Sequence, residues 1–219
     1  MICCCILFLL LKKNLTMKII CIGRNYSEHA KELKNDIPTE PVFFMKPDTA
    51  LLKNGQAFYL PDFSKEIHHE IELVLLISKN GKNIDEKFAH KYYEKIGIGI
   101  DFTARDLQQQ CKEKGLPWEK AKAFDNSAPL GDFELKSKFD DLNSLSFYLT
   151  INGETRQQGN SNDMLFSFDK IIAYVSKFIT LKTGDLIYSG TPSGVGAVKI
   201  GDKLEGYLNG KKMLSFEVK

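Results

Sequence analysis

Eight residues in the first half of the chain limit its architecture more than any other stretch. Glu70-Ile71-Glu72-Leu73-Val74-Leu75-Leu76-Ile77 opens on two carboxylates and runs on as an unbroken apolar segment. Its Val, Ile and Leu content reads as a strand. Alternate residues of a strand share a face, so Glu70 and Glu72 project together while Ile71 and Leu73 face the other way. Two carboxylates side by side repel each other. A solvated strand end tolerates that repulsion; a cation turns the pair into a binding site. A third carboxylate, Asp101, ends Gly97-Ile98-Gly99-Ile100, another apolar strand. Buried charge there needs a partner or a metal. Three carboxylates without a cysteine ligand favour a hard, oxygen-seeking ion, Mg²⁺ or Mn²⁺, over zinc. Ca²⁺ can occupy the same oxygens in crystals.

Further short strands are predicted at Lys18–Ile22, Val42–Met45, Ile96–Phe102, Leu145–Asn152 and Leu186–Ser189. The alternation of Gly with Ile in Ile96–Phe102 suits a strand that another backbone approaches closely. Asn152-Gly153 is a hairpin signal, and Gly201-Asp202 and Asn209-Gly210 punctuate a final β-rich stretch. Helical spacing covers Asn25–Leu33 and Phe166–Phe178. Ala104–Lys114 reads as a helix with Thr103 as N-cap and Gly115 as its stop. Many strands with two or three helices give an α+β fold dominated by β, and the lack of regular βαβ alternation argues against a doubly wound sheet.

The chain has 219 residues and a net charge of +2. That size suits one domain with a substantial core, and so balanced a charge gives no support for a nucleic-acid partner. Cys3, Cys4 and Cys5 are adjacent, and only Cys21 and Cys111 lie in the body of the chain. This pattern reads as free thiols in a reducing, cytoplasmic compartment. Ile2–Leu11 is too short to span a bilayer, which needs about 20 apolar residues. Its charges, Lys12 and Lys13, follow the apolar run instead of preceding it as in a signal peptide. We therefore expect no membrane partner. We read residues 1–16 as a non-native upstream extension, with a weak surface anchor as the rival reading, and residues 17–219 as a single catalytic domain.

His29 and Glu32 are three apart on the expected helix and can meet on one face. A carboxylate beside imidazole suits a general base that activates water, although an ordinary surface pair has the same spacing. Lys122 lies between Ala121 and Ala123, where a lysine can also snorkel to the surface. Arg105 suits a bidentate contact with a carboxylate. Thr191, in a Gly-Thr-Pro turn, is a candidate donor to the same group. Arg24 could bind a second carboxylate, though exposure alone explains it.

His69-Glu70-Ile71-Glu72-Leu73 and Gly99-Ile100-Asp101-Phe102-Thr103-Ala104-Arg105-Asp106-Leu107-Gln108 resemble the metal-binding core of the fumarylacetoacetate hydrolase family. Gly23-Arg24-Asn25-Tyr26 with His29 and Glu32 continues the likeness, as do Phe43-Phe44-Met45-Lys46-Pro47, Lys114-Gly115-Leu116-Pro117-Trp118, Ala121-Lys122-Ala123-Phe124-Asp125 and Gly190-Thr191-Pro192-Ser193-Gly194-Val195-Gly196. The likeness is to the short branch of acylpyruvases, oxaloacetate decarboxylases and oxaloacetate tautomerases. It implies a mixed β-sandwich roll, a homodimer, and one divalent ion on Glu70, Glu72 and Asp101. It also implies a His29–Glu32 dyad on a segment that closes over the site, Lys122 at the substrate oxygen, and substrate contacts from Arg105 and Gln108. Lys46 also matches, as a substrate-side residue of less defined role.

The expected substrate is a small 2-oxo acid, which can chelate the ion through a carboxylate oxygen and the keto oxygen. The dyad favours hydrolysis of the C–C bond of acylpyruvate-type β-diketo acids to a pyruvate enolate. Oxaloacetate decarboxylation, oxaloacetate tautomerisation and isomerisation of 2-hydroxyhepta-2,4-diene-1,7-dioate are alternatives. A metabolite-binding protein that keeps the fold is the non-enzyme alternative.

Overall fold

The structure is a computed structural model that describes residues 17–32 and 37–219, with the side chains of residues 29–31 excepted. The proposed extension, residues 1–16, and the helical position Leu33 lie outside the described residues. The first strands are β1 (Ile19–Gly23), β2 (Val42–Lys46), β3 (Leu51–Lys53), β4 (Ile67–His69), β5 (Ile71–Ile77), β6 (Tyr93–Ile100) and β7 (Thr103–Ala104). They are followed by β8 (Ala128–Leu135), β9 (Ser146–Ile151), β10 (Glu154–Asn160), β11 (Leu186–Tyr188), β12 (Gly196–Ala197), β13 (Lys203–Leu208) and β14 (Lys211–Glu217). The helices are α1 (Ser27–Glu32), α2 (Glu86–Ala89), α3 (Arg105–Lys114), α4 (Glu119–Lys122) and α5 (Phe168–Phe178).

The apolar run forms β5, at the centre of a seven-stranded sheet ordered β2-β1-β11-β5-β6-β8-β3. Ile71, Leu73, Leu75 and Ile77 enter the main core with Ile96, Ile98, Phe147 and Leu204. Val74 turns to the other face, where Ile19, Cys21, Leu186 and Tyr188 form a second cluster. Both faces of β5 are covered, so polar residues have no place in the run. The sheet is mixed: β1–β11 and β3–β8 are parallel pairs, and the other pairs are antiparallel. An antiparallel sheet, β10-β9-β13-β14, packs over β5, β6 and β8. The result is the expected β-dominated α+β architecture. The predicted Asn152-Gly153 hairpin turn has φ values of 53° and 85°, and Asn209-Gly210, expected as punctuation, also turns a hairpin, with 46° and 77°. Such positive pairs match the twist of the flanking strands.

The glycines of β6 admit their neighbours closely. A Cβ on Gly97 would stand 2.6 Å from the Asp132 carbonyl oxygen, the backbone approach expected from the alternation. One on Gly99 would stand 2.4 Å from the Tyr188 ring, so at that position the close neighbour is a side chain.

A third sheet, β12-β4-β7, adjoins the large one and makes a corner with it. One antiparallel register runs from Ile71↔Ile100 in the large sheet into His68↔Thr103 and Ile67↔Ala104 in the small one. Glu70 and Asp101 fall opposite each other at the corner where both segments change sheets. There Asp101 N–H donates to Glu70 O at 2.8 Å.

Two departures from expectation bear on the site. Thr103 is not the N-cap of α3: it pairs in β7, Ala104 is the cap residue, and the Thr103 hydroxyl donates to Glu70 Oε1 at 3.0 Å. Asn25 lies outside α1. Its side chain donates to Ser189 O and Phe166 O and accepts from Phe166 N–H, tying β1's end to distant loops.

Candidate active site

The corner explains the carboxylate cluster. Residues opposite one another in an antiparallel pair put their Cβ atoms about 4.5–5.5 Å apart on one face. Glu70 and Asp101 are such a pair, and Glu72 lies two residues further along the same face of its segment. Ligand oxygens of all three lie within 4.8 Å of one another. The residues are 5%, 1% and 1% exposed, so their charges are held away from water.

Cations and amides around the cluster offset part of that cost. Lys122, buried on α4, places Nζ 2.8 Å from Glu70 Oε2 and 2.7 Å from Asp101 Oδ2. Burial alone would lower its pKa, but the Asp101 and Glu70 carboxylates outweigh burial and hold it above the usual lysine range. Arg105, at the start of α3, sets Nη2 2.5 Å from Glu70 Oε1, and its Nη1 donates to Gln108 Oε1 at 2.6 Å. Lys46 Nζ stands 2.7 Å from Asp101 Oδ1, at angles that make no hydrogen bond. Glu72 receives Gly190 N–H at 2.7 Å and, among the described residues, meets no cation at ion-pair distance. Burial, then the neighbouring Asp101 charge, pushes its carboxyl well above the usual range. Glu72 and Asp101 Oδ1 therefore offer oxygens that a divalent cation would satisfy. A set made only of carboxylates fits Mg²⁺ or Mn²⁺.

Above the cluster opens a cleft walled by Arg24, Phe44, Arg105, Gln108, Lys112, Trp118, Lys122 and Thr191. Eight of the expected site residues converge here: the three carboxylates, Arg24, Arg105, Gln108, Lys122 and Thr191. Two expected roles change with the geometry. Lys46 is not on the cleft wall. Its ammonium is buried beneath the cluster, within hydrogen-bonding distance of Phe102 O, Ser127 O, Ser127 Oγ and Lys122 O, so it braces Asp101 from below. Thr191 lines the cleft, but its hydroxyl donates to Ile71 O at 2.8 Å and accepts from Gln157 Nε2 at 2.9 Å. That hydroxyl proton is engaged by the backbone and not free for substrate. Glu32 is exposed, and its carboxylate accepts Gly194 N–H at 3.1 and 3.2 Å, which joins α1 to the loop carrying Thr191. The His29 side chain lies outside the described residues.

The fumarylacetoacetate hydrolase C-terminal family model matches residues 18–219. The chain belongs to the fumarylacetoacetate hydrolase family. Mouse oxaloacetate tautomerase FAHD1, a mitochondrial protein, is 45% identical over 92% of this chain and 91% of its own length. The mitochondrial oxaloacetate decarboxylase of Dictyostelium discoideum is 44% identical over 86% of this chain and 87% of its own. The crystal structure of Pseudomonas aeruginosa fumarylpyruvate hydrolase in complex with Mn²⁺ and pyruvate superposes with a TM-score of 0.88. It is 36% identical, covering 93% of this chain and 89% of that one.

In this family member the cleft also holds Lys112 and an aromatic wall, which sequence reasoning missed. Arg105, Gln108 and Lys112 recur at i, i+3 and i+7 on α3, one helix face, and all three line the cleft. That spacing is visible in the sequence and would have found Lys112. Burial, then the Arg105 and Arg24 charges, lowers the Lys112 pKa, as expected of cations crowded on one wall. Phe44 and Trp118, with ring centroids 6.0 Å apart, form the apolar side of the mouth. No local pattern marks them.

Proposed function

We propose that this chain is a divalent-metal-dependent enzyme that interconverts the keto and enol forms of oxaloacetate or a closely similar dicarboxylic 2-oxo acid. One observation carries the proposal: the cations Arg24, Arg105 and Lys112 line one cleft directly above the three carboxylates. A dianionic substrate matches that wall, with Arg105 suited to one carboxylate and Arg24 with Lys112 to the other. The sequence alone favours acylpyruvate hydrolysis. The basic wall and the relatives that act on oxaloacetate move the proposal to the alternative.

Glu70, Glu72 and Asp101 would hold the ion, which when bound supplies a Lewis acid at the substrate's oxygens. Lys122 Nζ, held between Glu70 and Asp101 at the cleft, would donate its remaining N–H to the substrate oxygen where charge develops as the C3 proton leaves. Gln108 orients Arg105 through the Nη1 bond. Phe44 and Trp118 form the apolar side of the mouth. We assign the proton transfer at C3 to His29, carried on α1, the helix that the Glu32–Gly194 bonds join to the loop of Thr191. The test is the decay of enol-oxaloacetate, followed spectrophotometrically with Mn²⁺ and with EDTA, against pyruvate release from oxaloacetate and loss of acetylpyruvate. Metal-dependent enol decay that outpaces both other reactions is expected; faster acetylpyruvate loss would reject the assignment.

Hydrolysis of an acylpyruvate remains the second reading, on one specific observation. The apolar Phe44–Trp118 wall at the mouth also suits an uncharged acyl group.

A further inference from the structure

We propose that Gln157 is a positioning residue of this site, holding the start of β5 and the Thr191 loop in the one relative placement that assembles the cleft. This rests on reading the cleft as the catalytic site. Gln157 touches none of the three carboxylates, and its surroundings in sequence, Glu154-Thr155-Arg156-Gln157-Gln158, look like a solvated edge strand. A β-bulge changes that. The β9–β10 register slips between Thr155 and Gln157, so Arg156 is the extra residue and Gln157 turns inward, 2% exposed, while Arg156 and Gln158 stay exposed. Bulges re-aim side chains in this way and recur next to active sites.

Once buried, the amide meets four partners. Oε1 accepts Ile71 N–H at 3.1 Å and lies 2.7 Å from His69 Nδ1. Nε2 donates to Thr191 Oγ1 at 2.9 Å and to Pro192 O at 3.0 Å. A primary amide has two donor protons and two acceptor lone pairs, and all four are used. Flipping it would set NH₂ against Ile71 N–H and the carbonyl against Pro192 O, so its orientation is fixed. Because Oε1 only accepts, His69 must carry its proton on Nδ1. His69 and Ile71 flank Glu70, and Ile71 precedes Glu72. Thr191 and Pro192 follow Gly190, whose N–H holds Glu72. One buried side chain therefore clamps both backbones that aim Glu70 and Glu72 to the loop that lines the cleft. Thr191 Oγ1 closes the circuit by donating to Ile71 O at 2.8 Å.

The test uses two variants of the full chain, Gln157→Met and Gln157→Glu, with Mn²⁺ affinity of metal-free protein measured by calorimetry beside kcat, KM and thermal stability. Met keeps the shape and removes all four bonds. Glu keeps the two accepted bonds and loses the two donated ones. Partners that orient metal ligands from behind change affinity or activity by about 10- to 100-fold when removed. We expect Gln157→Met to weaken Mn²⁺ binding and raise KM by about tenfold or more each. We expect Gln157→Glu to raise KM without weakening Mn²⁺ binding. A merely structural role would lower the folded fraction, and so apparent kcat, leaving Kd and KM of the folded protein alone. Kd and KM within twofold of wild type in a folded Gln157→Met variant would overturn the proposal; if that variant does not fold, an unchanged KM in Gln157→Glu does the same. Loss of fold in both would make Gln157 a residue of the fold and reject the positioning role. Wild-type protein that binds Mn²⁺ but does not turn over oxaloacetate would sink the functional reading separately, with the Mn²⁺ comparison still standing.

Discussion

Single residues of the cleft divide by what they touch. Asp101 faces Glu70 across the sheet corner, Lys122 bridges the two, and Lys46 supports Asp101 from below. Asp101→Asn keeps the shape and removes one charge from the cluster. It should abolish the gain in Tm on adding Mn²⁺, measured by scanning calorimetry, while the metal-free variant still unfolds cooperatively. Lys112 belongs to the wall above the cluster. Lys112→Ala should raise KM for oxaloacetate about tenfold or more, since a hydrogen bond to a charged group contributes about 1.5–3 kcal/mol. KM for a monocarboxylic acylpyruvate and the Kd for Mn²⁺ should stay near wild type, and steady-state kinetics on the two substrates separates the cases. Cys21 and Cys111 are free and buried. Burial, then the Asp101 charge, pushes the Cys21 thiol well above its ordinary range. Cys21 should resist iodoacetamide at pH 8 in the native protein and react after unfolding, as peptide mapping would read.

Among the elements, β6 does two tasks. Its isoleucines fill the main core, and its glycines let Asp132 and the Tyr188 ring approach. Gly99 is also the register partner of Glu72. Gly99→Ala would force its new methyl against Tyr188, and overpacking of this kind costs about 1–3 kcal/mol. The urea midpoint should fall with an unchanged m value, and Mn²⁺ affinity should fall with it because Glu72 sits opposite the displaced strand. Helix α3 is a different case. Its buried residues are Gln108, which lines the polar cleft, and Cys111, while Leu107 packs half-buried against the main core. Helix α5 buries Phe168, Ile171, Ile172 and Val175 against the core and is capped by Ser167, whose Oγ accepts Lys170 N–H. It is legible in the sequence for the ordinary reason of apolar spacing at 3.6 residues.

At the scale of the whole molecule, the buried carboxylates link stability to metal. A ligand that binds only the folded state stabilises it by RT ln(1 + [L]/Kd), about 2.7 kcal/mol at 100 times Kd. Tm should therefore rise with Mn²⁺ concentration well past saturation, and EDTA should return it to the metal-free value. A Tm indifferent to Mn²⁺ would remove the assignment of Glu70, Glu72 and Asp101 as ligands. Among the described residues no helix is long and apolar enough to cross a membrane.

The chain's own order determined the β-dominated class, the central strand, the Asn152-Gly153 hairpin and the identity of the three carboxylates. Each of these depends on interactions within a few residues, where alternation, turn chemistry and the cost of burying charge operate. Tertiary structure decided what depends on distant segments meeting. The unbroken register through the sheet corner set Glu70 against Asp101. Burial from β1 and α4 turned Lys46 into a brace and left Lys122 at the cleft. Pairing in β7 took Thr103 from the helix cap to Glu70. A one-residue bulge in β10 turned Gln157 from the solvent side of an edge strand to the backbones of Ile71 and Pro192. In each case the deciding contact joins residues that are far apart in sequence, and only packing the sheets together brings them within hydrogen-bonding distance.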